Sequence, residues 1–519
     1  MLRIPRLPLA LAALAAASPL ASARDVDVTR DGGVLGELLT YTVNGDPFET
    51  FYLVVSISQG PLPVALFCPG DPRLIEVGTE LQSLATLGLL DGGGNGVGFY
   101  PVPLDPSFQG LGFFAQALTL PGATCLIDDL SPQNAFTLAQ HDTVHNALGD
   151  NVTARQGHTA TTLPDGRVLI VGGDEPDMAG VLTALDTMEV FDPQTQRFTA
   201  LSSTLTAPRS THTATLLDDG RVLVVGGYNL SETVVATADI IDPVADTVVA
   251  AAPMSVARTQ HTATLLDDGR VLVVAGSSKF DTADILGSLA QVHRTAEIYD
   301  PGTDSWSAAA DLPISDDGIA GHAASRLGNG QVLVSAGVDV DIVFGVPIPS
   351  MSNNCHRYQP STNSWLPTAN LPGERVYHGQ VTLPNGTALV AGGADGDFVL
   401  LSFNSLSSCA TYNATTNSWT SVASLNHPRA YPNLLMAGDE VVIVGGLGTV
   451  DVSTASGTPE QNIEAAPTTL LSWTSAAAMA LPREVGRAAA VDGGDRVVIV
   501  GTGDNGVPTV DRTAEVYVR

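Results

Sequence analysis

A nearly identical internal repeat constrains this chain more than any other feature. The stretch THTATLLDDGRVLVVGG at Thr211–Gly227 returns almost unchanged as QHTATLLDDGRVLVVAG at Gln260–Gly276. Looser copies recur about every 50 residues. The seven copies begin at Arg155, Arg209, Arg258, Ile319, Arg375, Arg429 and Arg483. Such a series predicts a repeat architecture, in which each unit buries its apolar faces only by stacking on its neighbours.

Each copy has the pattern of four short β-strands, which we call a to d in chain order. The alternating HTATLL predicts strand a, and the β-branched run RVLVVGG predicts a strand b that is buried on both faces. The DDG or PDG between them is a hairpin signal, because glycine supplies the positive φ that a tight turn needs. Segments such as TAEIYDPGTDSWSAAADLP at Thr295–Pro313 predict strand c, a proline turn and strand d with its tryptophan.

The glycine pair after strand b and the tyrosine and tryptophan farther along resemble the kelch repeat. Region 142–519 as a whole is similar to a seven-bladed kelch β-propeller with one copy in each blade. Blade 4 departs from the pattern by lacking the leading arginine, and blades 6 and 7 lack the histidine of strand a. Blade 7 also ends at strand c. We therefore predict that Asp142–Leu148 supplies its fourth strand by pairing with Thr513–Val518, which closes the ring.

The residues before the propeller are not repetitive. Residues 1–23 combine two arginines, a short apolar stretch and the small-residue sequence ASA, so we predict a signal peptide and a secreted, periplasmic or cell-surface mature protein. Residues 24–140 alternate apolar runs with Gly, Pro and Asp turns, and they resemble a small β-domain of secreted bacterial proteins. The predicted fold class is all-β: a β-sandwich-like domain (24–140) followed by a seven-bladed kelch β-propeller (142–519).

The charge of the chain limits its partners. Its net charge is −31 and its isoelectric point is about 4.4. Such a chain repels phosphate backbones and anionic lipids. We expect no nucleic-acid partner, no membrane insertion and a monomer.

The four cysteines fall into two regions. An even number in an exported chain indicates disulfides rather than metal thiolates. Pairing within each region predicts Cys68–Cys125 in the first domain and Cys355–Cys409 in the propeller. The second pair is the less secure prediction, because both residues lie at the same point of neighbouring blades and geometry could hold them beyond the roughly 7 Å Cα limit of a disulfide.

Five histidines share one position of strand a. They are His158, His212, His261, His322 and His378. Histidines converging in a ring could bind a metal, whereas equivalent positions of different blades are usually too far apart for one ion. We favour local packing or hydrogen bonding of each histidine within its own blade.

One of these histidines lies in RVYHGQVTLPNG at Arg375–Gly386. This stretch resembles the tyrosine–histidine metal-binding segment of galactose oxidase and related copper-radical oxidases, which would make Tyr377 and His378 copper ligands. Those enzymes also need a second tyrosine crosslinked to a cysteine and a further histidine on an appended domain, and these have no counterpart here. We therefore predict no metal and no cofactor.

The arginines that begin six of the copies form the other candidate site. Antiparallel strand order puts the d–a and b–c loops on one face of the disc, where the b–c loops vary in length. The arginines could form a positive ring there that binds carboxylate or sulfate groups. They could instead form ion pairs within or between blades, with Glu189, Asp239, Glu297 or Glu515 on strand c. The predicted ligand-binding residues are Arg155, Arg209, Arg258, Arg375, Tyr377, His378, Arg429 and Arg483.

These patterns favour a non-enzymatic binding or scaffold protein. We expect a saccharide or protein ligand, with acidic saccharides or acidic peptides as the first class to test. Two alternatives stay open. One is a kelch-type enzyme, similar to a copper-radical carbohydrate oxidase or to a sugar-acid isomerase. The other is a structural component of an envelope or matrix.

Overall fold

The structure is a computed structural model that divides into two compact units, residues 1–140 and 141–519. In the first unit it describes the strands given below. In the second it describes residues 143–519 except 148–152, 177–181, 230–232, 280–287, 289–290, 315–316, 345, 398–401, 452–455, 470–471, 477, 481–482, 484–486 and 502–513. The predicted signal peptide (1–23), Cys68 and Cys125 lie outside the described residues.

The described part of the first unit consists of antiparallel strands. They are β1 (Asp27–Asp31), β2 (Leu38–Asn44), β3 (Thr50–Ser56), β4 (Gln59–Pro63), β5 (Leu74–Val77), β6 (Thr86–Leu89), β7 (Asn95–Pro101), β8 (Gly112–Leu120) and β9 (Asn134–Thr137). They form sheets of order β1-β2-β7, β6-β3-β8-β9 and β4-β5.

The second unit is a seven-bladed β-propeller, and each blade is an antiparallel sheet with its strands in the order a, b, c, d. The strands of the first three blades are β11 (Thr159–Thr162), β12 (Val168–Val171), β15 (Met188–Asp192) and β16 (Arg197–Ala200); β17 (Thr213–Leu216), β18 (Val222–Val225), β19 (Ala238–Asp242) and β20 (Thr247–Ala251); β21 (Thr262–Leu265), β22 (Val271–Val274), β23 (Ala296–Asp300) and β24 (Ser305–Ala308). Those of blades 4 and 5 are β26 (Ala323–Arg326), β27 (Val332–Val343), β28 (Val346–Gln359) and β29 (Ser364–Leu366); β30 (Gly379–Thr382), β31 (Ala388–Ala391), β34 (Cys409–Asn413) and β35 (Ser418–Val422). Those of blades 6 and 7 are β36 (Asn433–Ala437), β37 (Glu440–Val444), β40 (Glu464–Pro467) and β41 (Thr474–Ser475); β42 (Arg487–Val491), β43 (Arg496–Val500), β44 (Glu515–Val518) and β10 (Thr143–Asn146).

The b–c connections of four blades carry additional strands. Blade 1 has β13 (Asp174–Pro176) and β14 (Leu182–Ala184), blade 5 has β32 (Ala394–Asp397) and β33 (Ser402–Ser405), and blade 6 has β38 (Leu447–Asp451) and β39 (Ser456–Pro459). In blade 4 the b and c strands themselves run on into one long hairpin, beside which β25 (Gly318–Ala320) pairs with β27. Two single-turn 3-10 helices complete the described elements, Pro360–Thr362 and Asp492–Gly494. No helix in the described part of the chain is both long enough and apolar enough to span a bilayer.

Apolar packing between consecutive blades forms the core. The b strands of blades 1 to 3 read VLIV, VLVV and VLVV, and every one of these residues is buried. Clusters of buried apolar side chains fill the contacts from blade 1–2 through blade 6–7. Burying each such valine or leucine contributes about 1.5–3 kcal/mol. The predicted two-faced burial of strand b is therefore what joins the blades.

The ring is closed as the sequence predicts. Strand β10 lies before the first blade in the chain and pairs with β44 in an antiparallel register, with Thr143 opposite Val518 and Asn146 opposite Glu515. The amide of Ala147 extends the ladder by donating to the carbonyl oxygen of Ala514 at 2.9 Å. This pairing gives blade 7 its fourth strand and removes two exposed strand edges.

The tryptophans join the outer edges of the blades. The indole Nε1 of Trp306 donates to the carbonyl oxygen of Ala252 in the preceding blade at 2.7 Å. Trp365, Trp419 and Trp473 make the same contact with their own preceding blades at 2.8–3.0 Å. The tryptophan position of the repeat thus has a structural role at the rim.

The predicted disulfide in the propeller is not formed. Cys355 and Cys409 are free and buried. Cys355 packs in the cluster between blades 4 and 5, whereas Cys409 packs in the cluster between blades 5 and 6. The sheet of blade 5 therefore separates the two thiols. Burial raises the pKa of Cys355 to about 12 and that of Cys409 to about 11.

Candidate functional site

The six leading arginines lie inside the protein rather than on its surface. Arg155, Arg209, Arg258, Arg375, Arg429 and Arg483 are each at most 2% exposed. In blade 2, Arg209 donates from Nη1 to the carbonyl oxygens of Gly226 and Thr237, at 3.2 and 2.8 Å. The prediction of an accessible positive ring is wrong, because each guanidinium satisfies backbone carbonyls at the ends of strand b and at the start of strand c.

Five of the six arginines pair with an acidic residue on strand c. The pairs are Arg155–Glu189, Arg209–Asp239, Arg258–Glu297, Arg429–Glu464 and Arg483–Glu515, with N–O distances of 2.5–3.1 Å. The carboxylates also hold the d–a segment; that of Glu297, for example, accepts from the amide of Ser255 at 2.8 Å. Burial lowers the pKa of Arg209 and Arg258, and the nearby carboxylates oppose that shift. Of the two roles considered for these arginines, the structure shows the ion pair.

Blade 5 breaks this pattern. Its strand c has Ala410 where the other blades with a leading arginine have an acid. Arg375 therefore bonds only to neutral groups among the described residues: the carbonyl oxygens of Gly392 and Ser408 and the hydroxyl of Ser408, each at 3.0 Å. Arg375 is consequently a buried cation without the carboxylate that its counterparts have.

The strand-a histidines bond between blades and do not converge. The imidazole Nε2 atoms of His212, His261 and His322 lie 3.0–3.1 Å from the threonine hydroxyls of the preceding blades. His378 makes the equivalent contact with Ser335 at 2.8 Å. His158 is fully buried, and among the described residues neither of its ring nitrogens has a hydrogen-bond partner. Burial lowers the pKa of all five, to about 3 for His261 and about 4 for His322.

The tyrosine–histidine pair of blade 5 does not fit a copper site. His378 turns its Nε2 into the contact between blades 4 and 5, where Ser335 holds it. The hydroxyl of Tyr377 instead lies 3.4 Å from Oε1 of Gln260 in blade 3. The two candidate donors therefore do not face one common point. The described residues also contain no group of three or more His, Cys, Asp or Glu side chains placed to hold a metal ion.

A ring of residues two positions after the leading arginines surrounds the axis. We call it the collar, and its described members are Gly157, Thr211, Gln260, Gly321, Tyr377 and Tyr431. All six have a left-handed backbone, with φ between 50 and 64°. Their main chains join consecutive blades: the amide of Thr211 donates to Gly157, that of Tyr377 to Gly321 and that of Tyr431 to Tyr377, each at 2.9 Å. The left-handed turn brings each residue back toward its neighbour, which accounts for the ring.

The collar carries a pair of stacked tyrosines on one side. The rings of Tyr377 and Tyr431 lie 3.9 Å apart at 21°, and Tyr431 is 40% exposed. Tyr377 extends across blade 4 because the collar residue there is Gly321, at which an added Cβ would lie 2.9 Å from the Tyr377 ring. Its hydroxyl thereby reaches Gln260 of blade 3. The collar thus presents an aromatic surface next to an amide.

Two sets of residues beside the collar divide the face into a polar and an apolar half. In blades 1–6, the residue after the arginine position pairs with the first residue after the glycine of strand b. In blades 1–3 the pairs are polar: Gln156–Asp174, Ser210–Tyr228 and Thr259–Ser277. In blades 4–6 they are apolar: Ala320–Val338, Val376–Ala394 and Ala430–Leu447. The tyrosine stack lies on the apolar half, and Thr211 and Gln260 lie on the polar half.

The apolar half is strengthened by the b–c hairpins of blades 4, 5 and 6. Val338, Val340 and Met351 of the blade 4 hairpin form a cluster with the apolar pairs of blades 5 and 6. Tyr377 packs against the edge of this cluster. These hairpins therefore hold the tyrosine side of the collar in place.

An acidic side chain lies close to the collar. Asp174 is buried in the polar half, and its Oδ2 accepts from the hydroxyl of Tyr228 at 2.6 Å. Burial raises the pKa of Asp174. An added Cβ at the collar residue Gly157 would lie 3.7 Å from the same oxygen, so this carboxyl is close to the collar. The charge of this carboxyl disfavours an anionic ligand beside it.

The sequence interpretation found Tyr377 but missed the rest of the collar. Its signal is present in the printed repeats: the residues two positions after the arginine position read G, T, Q, G, Y and Y in blades 1–6. That position changes from blade to blade while the surrounding positions recur. A repeat is defined by the positions that recur, so a position that varies does not stand out in it.

Comparisons with known proteins agree with this architecture. No protein-family model matches the chain. An F-box/kelch-repeat protein of Arabidopsis thaliana is 27% identical over 152 residues, which is 29% of this chain and 30% of that protein. A fungal alcohol oxidase of the AA5 family, solved in complex with copper, superposes with a TM-score of 0.53 at 15% identity, covering 72% of this chain and 75% of its own. The solved structure of YjhT superposes with a TM-score of 0.46 at 17% identity. This match covers 63% of this chain and 98% of the YjhT chain.

The fold is a seven-bladed β-propeller, and part of its repeat region is similar to a kelch-repeat protein. The match to the plant protein spans about 30% of that protein's length. The structural likenesses lie below 20% identity and concern the fold alone.

Proposed function

We propose that this protein is an exported binding protein whose collar takes a neutral saccharide. The observation that carries the proposal is the exposed Tyr431, stacked on Tyr377 at one side of the collar, with the polar side chains of Thr211 and Gln260 on the other. A sugar ring has an apolar face and a rim of hydroxyl groups. Aromatic side chains support the first, and amide and hydroxyl groups bond the second. Export itself rests on the sequence of residues 1–23.

The burial of the arginines removes the reason for predicting acidic ligands. The guanidinium groups are buried, five of them against carboxylates, so none is available to a ligand on this face. Asp174 and the overall charge of −31 disfavour an anion instead. A neutral ligand is therefore the better match to the exposed surface.

The enzymatic and structural alternatives have less support. A copper-radical oxidase needs donors that converge, and Tyr377 and His378 point to different partners. No described observation favours a sugar-acid isomerase or a matrix component over a binding protein.

The test is a screen of neutral and acidic saccharides, followed by isothermal titration calorimetry of the strongest binder. Tyr431→Ala should weaken binding by about tenfold, which corresponds to the usual contribution of an aromatic contact. Tyr431→Phe should keep the affinity because it keeps the ring. Val244→Ala, on the exposed c–d turn of blade 2, is the matched control. A binder that is acidic, or that Tyr431→Ala leaves unchanged, would contradict the proposal.

A further inference from the structure

The long hairpin of blade 4 ends in an exposed apolar tip. Strands β27 and β28 stay paired as far as Val343 and Val346. Phe344, between them, is fully exposed and has a φ of 51°, and Val343, Val346 and Ile348 are each about half exposed. We call residues 342–344 and 346–349 the finger. Soluble proteins usually bury such side chains or use them for contact with another surface.

The finger is held out by a well-packed base. Val338 and Val340 precede the finger on β27. They are buried with Met351 in the cluster on the apolar half of the face. The register shows no shift between Val338 and Val343. The exposed side chains therefore stand on a paired, packed ribbon rather than at the end of an unsupported loop.

The chemistry of the finger limits what it can contact. The sequence of residues 342–349, IVFGVPIP, contains no charged and no hydrogen-bonding side chain. The nearest charges along the ribbon are the acidic residues Asp339 and Asp341. An anionic surface would be repelled by this acidic base, and a polar surface would find no partner at the tip.

The finger is too narrow for a specific protein interface. One exposed aromatic and three half-exposed aliphatic side chains offer roughly 400 Å², against the about 800 Å² per partner that specific interfaces bury. A second copy of this chain is disfavoured further, because each copy carries a net charge of −31.

The finger has the dimensions of an element that enters a lipid surface. Asp341 pairs with Ile348, so two paired residues of each strand and the turn at Phe344 extend beyond the last charge. At about 3.3 Å per residue this gives roughly 10 Å, which matches the 5–10 Å depth at which peripheral elements sit in the headgroup and acyl boundary. We propose that the finger of blade 4 inserts into the surface of a zwitterionic phospholipid bilayer and attaches the propeller to it.

This proposal revises the expectation of no membrane insertion, because the finger would enter the bilayer surface without spanning the membrane. The attachment does not depend on the collar. The net charge disfavours anionic lipids, whereas the finger meets a surface without net charge. A single shallow insertion gives weak, reversible binding. The site therefore acts as a peripheral contact that leaves the tyrosine side of the collar to its own ligand.

The test is flotation of the full chain with phosphatidylcholine vesicles. Phe344→Asp should lower the bound fraction about tenfold or more, since burying a phenylalanine side chain contributes that factor at least. Phe344→Trp should retain binding, because tryptophan also suits the bilayer interface. Val249→Asp, which charges an equally exposed aliphatic position on strand d of blade 2, is the control and should bind as the native chain does. Thermal unfolding of each variant confirms that it is folded.

Three results would overturn the proposal. The first is absence of binding to phosphatidylcholine, which would direct the search to a protein pocket instead. The second is equal binding of Phe344→Asp and the native chain. The third is a native dimer, seen by light scattering, that Phe344→Asp dissociates, which would make the finger a contact between copies. Added phosphatidylserine should weaken binding, and stronger binding would equally contradict the charge argument.

Discussion

Replacing Glu297 by alanine removes the carboxylate from one buried ion pair of the propeller. Arg258 is fully buried, and its Nη2 lies 3.1 Å from Oε1 of Glu297. The same guanidinium donates to the carbonyl oxygens of Ala275 and Thr295, at 2.9 and 3.1 Å, and these bonds keep it in place after the substitution. The variant would therefore contain a buried cation whose charge is no longer balanced.

The expected loss of stability is large. At the separation in the structure, two unit charges attract by about 5 kcal/mol for an effective dielectric constant of 20. Breaking a buried pair by removing one partner typically costs about 3–5 kcal/mol. The amide of Ser255 also loses its acceptor on Glu297, which adds to the cost. We expect Glu297→Ala to lower the free energy of unfolding by about 3–5 kcal/mol.

Urea unfolding followed by tryptophan fluorescence measures this difference. All four tryptophans of the chain lie in the propeller, so the signal reports on that unit. The control is Asp268→Ala, which removes the acid of a partly exposed pair with Arg270 and should cost less than about 1 kcal/mol. A double variant, Arg258→Met with Glu297→Leu, should lose less than Glu297→Ala alone, because it removes both charges.

A cost of Glu297→Ala no greater than that of Asp268→Ala would refute the predicted charge effect. A double variant that loses as much stability as the two single changes together would refute it as well, since the pair would then contribute through packing rather than charge.

Three further predictions follow from the same contacts. Ala410→Glu should supply the missing carboxylate to Arg375 and raise the free energy of unfolding by about 1 kcal/mol. Ala410→Gln should raise it by less. A lower free energy of unfolding for Ala410→Glu, measured in urea, would show that the site has no room for the acid. Burial lowers the pKa of His261 from 6.5 to about 3, so the unfolded chain binds more protons in that range and stability falls as pH drops through it. His261→Gln should therefore reduce the slope of stability against pH by up to about 1.4 kcal/mol per unit, and an unchanged slope would refute this. Cys355 and Cys409 should resist alkylation in the folded protein and react in denaturant, and a mass-mapped crosslink between them would contradict the free thiols.

Much of the propeller could be predicted from the sequence because it depends on local patterns. The β-branched run of strand b indicates a strand buried on both faces, and the seven copies indicate how many such sheets must stack. The closing strand was predictable for the same reason, since a blade with three strands needs a fourth to cover its edge.

The site was less predictable because it is formed by residues from different repeats. The sequence shows that an arginine begins most copies, but it does not show whether the side chain turns outward or inward. Only the packed blades decide this, by placing a carboxylate on strand c and two carbonyl oxygens within reach of Arg209 and its counterparts. The same holds for Cys355 and Cys409, which a whole sheet separates although their copies are neighbours.

The sequence by itself therefore determined the strands, their order and the number of blades, because hydrophobic periodicity and turn residues act over a few positions. The tertiary structure alone decided that Tyr377 reaches across Gly321 to Gln260 and stacks on Tyr431. These four residues come from four blades and share one position of the repeat, but the sequence does not show that this position lies at the axis. They meet because the ring brings the same position of these copies to the axis. There the side chains that differ from copy to copy form one surface.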